Sequence, residues 1–152
     1  MRAKIRAAIY LIVGVAAVLP AMAQDNTRTK AVTDAFEHYE AVRAALSADK
    51  LENVPAHAKE LVVRAEAVGG AEAKKAADQL AGAKTIEDAR THFGTLSAIL
   101  VPIFQGEKIS GTTAYICPMN QKRWIQRGDS AENPYYGKAM LTCAAALPPA
   151  KK

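Results

Sequence analysis

Two short stretches near the C-terminal end hold the side chains best suited to chemistry, Cys117-Pro118-Met119 and Met140-Leu141-Thr142-Cys143. On an extended segment residues two apart share a face, so Cys117 and Met119 are expected to project together. On a short helix opened by Asn133 as cap and Pro134 in the first turn, Met140 and Cys143 would share a face at i and i+3. Two thiolates and two thioethers facing one another form a soft site, which selects Cu(I) or Ag(I) over Mg²⁺, Ca²⁺ or Mn²⁺. Tyr115, Trp124, Tyr135 and Tyr136 would screen such a site from water and oxidant, and Asn133, Pro134 and Gly137 supply the turn chemistry that places Met140 and Cys143. The basic residues Lys122, Arg123 and Arg127 read as a solvated loop whose charge would also offset two thiolates.

The same two cysteines admit a second reading. Only Cys117 and Cys143 occur in the chain, and an even pair in an oxidising compartment meets the minimum for one disulfide. Closing the 117–143 loop would stabilise the fold by about 3.5 kcal/mol on the chain-entropy model. Ligation and disulfide exclude each other at any moment, because the metal needs both thiols deprotonated and reduced. Both readings stay open on the residues alone.

Which compartment applies is suggested by the other end of the chain. Arg2, Lys4 and Arg6 precede an apolar run from Ala7 to Leu19, followed by Pro20 and Ala21-Met22-Ala23. This is the pattern of a cleavable secretory signal over residues 1–23, and the run is shorter than the roughly 20 residues a spanning helix needs. A periplasmic protein with no membrane span after cleavage is therefore expected. Three of the 20 Lys+Arg and none of the 15 Asp+Glu precede Gln24, so the mature chain carries 17 cations against 15 anions, a formal charge of +2. A balance that mild argues against a nucleic-acid partner.

The elements that must position the sulfur atoms follow from apolar spacing. Val32, Ala35, Phe36, Tyr39, Val42 and Leu46 form the stripe of a first helix between Thr29 and Ala48. Asp49 and Glu52 read as a capping box for a second helix striped by Val54, Ala58, Leu61, Val62, Ala65 and Val68, although Pro55 then falls too deep for the first turn. Gly69-Gly70 is expected to end it, and Ala71–Ala81 to form a third helix closed by Gly82. Thr85 caps a fourth, striped by Ile86, Ala89, Phe93, Leu96, Leu100 and Ile103 and closed by Pro102 and Gly106. The histidines His38, His57 and His92 border these stripes with no cysteine or second histidine at ligand spacing, and so read as packed or surface groups.

Four amphipathic segments with short connections predict an all-α, up-down-up-down four-helix bundle over residues 24–106. An irregular C-terminal extension over 107–147 is expected to pack on it, containing a short strand at Thr112–Ile116 and a short helix from Asn133, with 148–152 as a tail.

Tyr115-Ile116-Cys117-Pro118-Met119, Trp124-Ile125-Gln126 and Asn133-Pro134-Tyr135-Tyr136-Gly137 leading to Met140 and Cys143 resemble an uncharacterised exported helical domain family. Its members also occur fused to membrane-fusion adaptor subunits of copper and silver efflux pumps. The phrases Phe36 to Leu46 and Phe93 to Ser97 fit the resemblance too, so it spans essentially the whole mature chain. Asn120 and Ala144 depart from the small residue and the glycine usual after C-P-M and after the last cysteine, and neither change removes a donor. The resemblance implies a copper or silver homeostasis setting, with an efflux adaptor or pump as the partner.

Catalysis has little to recommend it here. The chain contains no H-E-x-x-H, G-x-S-x-G, C-x-x-C or glycine-rich phosphate loop. A non-enzymatic soft-metal binding protein is the expected class, and a disulfide-stapled structural or interaction module of the cell envelope is the alternative.

Overall fold

A computed structural model describes residues 21–149. The expected signal, residues 1–23, falls almost wholly outside them. Among the described residues no helix is long and apolar enough to cross a membrane.

The order is α1 (Ala21–Ser47), a 3₁₀ turn (Leu51–Asn53), α2 (Val54–Ala81), α3 (Ile86–Gly106), β1 (Thr112–Ile116), β2 (Arg123–Arg127), a second 3₁₀ turn (Gly137–Met140) and β3 (Ala145–Ala146). The architecture is thus three helices with a three-stranded antiparallel sheet of order β2-β1-β3, and not the expected all-α four-helix bundle.

Two physical causes account for the correction. The expected second and third helices fall within the one span α2, where the expected break at Gly69-Gly70 is a kink: Gly70 (φ 75°, ψ −167°) is non-helical and helix resumes directly after it. Gly69 lacks a side chain for a packing reason, since a Cβ there would lie 2.8 Å from Ala73 Cβ and 3.2 Å from a methyl of Ile99 on α3. The second cause is that the face left open by α1 and α3 is covered by β2, which packs on both helices. Trp124, Ile125 and Gln126 are all buried there.

The stripes themselves form the core. Val32, Ala35, Phe36, Tyr39, Val42 and Leu46 are buried along α1, and Ala89, Phe93, Leu96 and Leu100 along α3. Tyr39 stacks on Phe93 at 4.9 Å, Phe93 meets Tyr135 at 6.0 Å, Tyr135 meets Trp124 edge-on at 6.0 Å, and Trp124 stacks on Tyr115 at 5.4 Å. This run of rings carries the core from the helices into the sheet without a break.

Helix ends differ in part from expectation. Thr85 Oγ1 does cap α3 by accepting from Asp88 N at 3.1 Å, but α3 continues through Pro102 to Gly106. Asp49 does not cap α2: it has φ 61° and turns the chain out of α1, and α2 begins at Val54, where Pro55 falls in the tolerated first turn.

Candidate metal centre

Cys117 and Cys143 come together through sheet pairing. β1 and β2 form a hairpin in register Thr112↔Arg127 to Ile116↔Arg123, and Cys117 extends it by donating its N–H to Lys122 O at 2.8 Å. On the other edge β3 pairs with β1 as Tyr115↔Ala146 and Ile116↔Ala145. One further step in that antiparallel register sets Cys117 opposite Ala144, hence beside Cys143. The antiparallel register thus sets the two residues side by side, with Cys117 fully buried and Cys143 half-exposed. They are free thiols, not bonded to each other. Partial desolvation, then the charge and hydrogen bonding of Cys117, push the Cys143 thiol above its ordinary range.

Asn133 holds the segment that delivers Cys143. It is fully buried, its Nδ2 donates to Cys143 O at 2.8 Å, and its Oδ1 accepts from Tyr135 N at 2.8 Å. Its backbone N–H donates to Leu141 O at 2.7 Å and its carbonyl accepts from Gly137 N at 3.1 Å. Asn133 therefore closes an Asx turn and a loop together, where the sequence suggested a helix cap. The expected helix carrying Met140 and Cys143 is a single 3₁₀ turn ending at Met140, and Cys143 lies on the extended chain beyond it. The i, i+3 helical relation between Met140 and Cys143 is thus replaced by a turn in which Cys143 N donates to Met140 O at 3.1 Å.

The thioethers are placed differently from the thiols. Met119 sits on the hairpin loop between β1 and β2 with its side chain 64% exposed, and Met140 is half-buried. Met119 is not enclosed with the cysteines.

Among the site-shaping residues, Tyr115, Trp124 and Tyr135 are buried and Tyr136 is half-buried. Trp124 Nε1 donates to Gln126 Oε1 at 2.8 Å, and Tyr135 Oη donates to Arg123 O at 2.5 Å. Burial raises the Tyr135 hydroxyl well above its ordinary value, with a smaller contribution from the charge of Cys117. The Pro134 carbonyl accepts from Arg90 Nε at 2.9 Å. Lys122 places its ammonium 5.6 Å from the Tyr135 ring centre, the one cation of the expected basic run that lies over an aromatic of the site. Arg127 instead pairs with Glu37 and lies over Phe36.

Three supports were not legible in the residue pattern. Asp49 Oδ1 accepts from Arg90 Nη2 at 2.5 Å, and its Oδ2 accepts from Lys138 N at 3.2 Å. Arg43, with a side chain only 4% exposed, pairs with Glu40 at 2.9 Å and with Glu132 at 2.9 Å. His38 and His57 bring their Nδ1 atoms to 3.3 Å across the α1–α2 interface. All three join positions far apart in sequence, so no local spacing announces them.

A helical N-terminal part closed by a small sheet, with a thiol pair at the sheet edge, describes the class of molecule. The chain belongs to the family described as protein of unknown function (DUF3347), which matches residues 35–112. That span runs from α1 to the first residue of β1, so Cys117 and Cys143 lie beyond it. No curated protein and no solved structure matches the chain.

Proposed function

We propose that this is a periplasmic binding protein for Cu(I) or Ag(I), held by the thiolates of Cys117 and Cys143, that sequesters the ion or delivers it to an efflux system. The observation that carries the reading is the pairing of β1 with β3, which sets those two thiols side by side, one buried and one half-exposed. Two adjacent thiols form the minimal chelate for a soft monovalent cation. The upward shift of Cys143 favours its thiol form, so binding of an ion there displaces a proton and uptake releases acid. Met140, half-buried and one turn before Cys143, and Met119, exposed on the adjoining loop, are the thioethers within chain reach, and Met119 would have to fold inward to ligate. The aromatic wall of Tyr115, Trp124 and Tyr135 keeps water from the buried side. An efflux adaptor or pump is the partner this reading favours, and binding rather than catalysis is the role.

The same thiol pairing favours a second reading, a Cys117–Cys143 disulfide that staples the C-terminal segment of a structural or interaction module. Cu(I) titration of reduced protein separates the two. The first reading expects one ion per chain, lost in Cys117→Ser and in Cys143→Ser. The second expects oxidised thiols in protein isolated without reductant and no uptake after reduction.

A further inference from the structure

We infer that His38 and His57 form a second metal site, of borderline rather than soft character, for a tetrahedral divalent ion such as Zn(II) at the α1–α2 interface.

The two Nδ1 atoms lie 3.3 Å apart, and the ring centres 5.5 Å apart at an interplanar angle of 48°. Without an ion, one ring can donate to the other at this separation, the roles being set by the tautomers. Zinc–imidazole bonds of about 2.0–2.1 Å set two nitrogens on a tetrahedral ion about 3.3–3.4 Å apart, whereas a linear two-coordinate ion would hold them about 4 Å apart. With both rings in the Nε2–H tautomer, the two Nδ1 lone pairs are free for one ion at the observed separation. The spacing therefore fits a tetrahedral ion, and imidazole nitrogen suits Zn(II) or Cu(II) where the thiol pair suits Cu(I).

The surroundings supply charge and access. Asp34 lies one turn before His38 on α1, and Glu60 three residues after His57 on α2. They now pair with Lys30 at 2.6 Å and Arg64 at 2.5 Å. Both carboxylates are about half-exposed and can turn toward an ion if those exposed pairs open, which costs little. Both histidines are half-buried, and an open groove of about 420 Å³, lined by Ala41, Ala45 and Lys50 among others, reaches His57. Among the described residues no group of three or more His, Cys, Asp or Glu is placed to hold a metal ion. The pair is thus a two-nitrogen chelate whose remaining positions go to water or to an incoming ligand, a site for reversible occupancy. It does not depend on the thiol pair.

The test is Zn(II) titration of the purified Cys117→Ser/Cys143→Ser double variant, in which thiol ligation is impossible. One saturable Zn(II) per chain is expected, weakened about tenfold or more by His38→Gln or His57→Gln, with helix content unchanged by circular dichroism. In reduced wild-type protein the Nδ1 resonances of His38 and His57 should also shift on Zn(II) addition, a readout that does not depend on the variants folding. No saturable uptake, uptake unchanged in both histidine variants, or Nδ1 resonances that stay fixed would each overturn the site. Failure here leaves the Cu(I) result untouched, and the reverse.

Discussion

Gly137 is packed against Asp49 so closely that a Cβ on it would collide with the Asp49 carboxylate and the Arg90 guanidinium, and its φ of 55° lies in the left-handed region. The carboxylate of Asp49 accepts from the next residue's N–H, at Lys138, and from Arg90. The end of α1, the start of α3 and the turn before Met140 are thereby tied at one point. Gly137→Ala should cost about 1–3 kcal/mol through strain and overpacking together. A lowered urea midpoint with an unchanged m-value is the expected result.

The same carboxylate predicts a pH effect. The hydrogen bond from Arg90, then that from Lys138 N, holds Asp49 below its ordinary value of 3.8. A depressed folded-state value means that the unfolded chain binds more protons across this window. The contribution is therefore complete well above 3.8 and is lost as pH falls through 3.8 and then through the folded value. Subtracting the stability curve of Asp49→Asn from that of wild type should leave a difference that is flat above about pH 5 and shrinks steadily as pH falls below that.

Arg43 anchors the incoming strand of the C-terminal segment. Its Nη1 donates to Ser47 Oγ at 3.1 Å and to the Glu132 carbonyl at 3.2 Å, in addition to its two carboxylate partners. Arg43→Ala removes the cation and leaves Glu40, 16% exposed, without its partner. Because Glu132 is half-exposed, the cost should fall below that of a fully buried pair, at about 2–3 kcal/mol. Arg43→Lys should recover only part of it, since an ammonium cannot make the forked contact. Thermal unfolding of the three proteins measures both.

Asn133 joins stability to the thiol pair. Asn133→Ala removes the donor to Cys143 O and the acceptor for Tyr135 N, at a cost of about 1–3 kcal/mol for buried groups left unpaired. It should also let Cys143 drift from Cys117, so that disulfide formation under a fixed oxidant slows relative to wild type.

Much of the helical part was legible in the residues. The stripes of α1 and α3 agree with the apolar spacing because one-sided burial leaves a period that sequence preserves, and the bounds of β1 agree with its run of strand-forming residues. What escaped has equally specific causes. Arg123-Trp124-Ile125-Gln126-Arg127 shows no alternation of apolar and polar residues because both of its faces are covered, so β2 did not announce itself. Ala145-Ala146 has little strand preference of its own and is a strand only by pairing with β1. Gly69-Gly70 has the composition of a helix end and the packing of a kink. At the candidate site, the residue types suggested sulfur chemistry, but the placing of Cys117 beside Cys143 depends on β3, and the pairing of His38 with His57 on how α1 meets α2. Neither is a local property of the chain.

The most direct measurement is Cu(I) titration of fully reduced protein against a competing chromophoric chelator, with free thiols counted before and after. The account predicts one ion per chain, release of protons on uptake, and loss of binding in Cys117→Ser and Cys143→Ser. Reduced protein that shows two free thiols and takes up no Cu(I), or takes it up equally well in both serine variants, contradicts it.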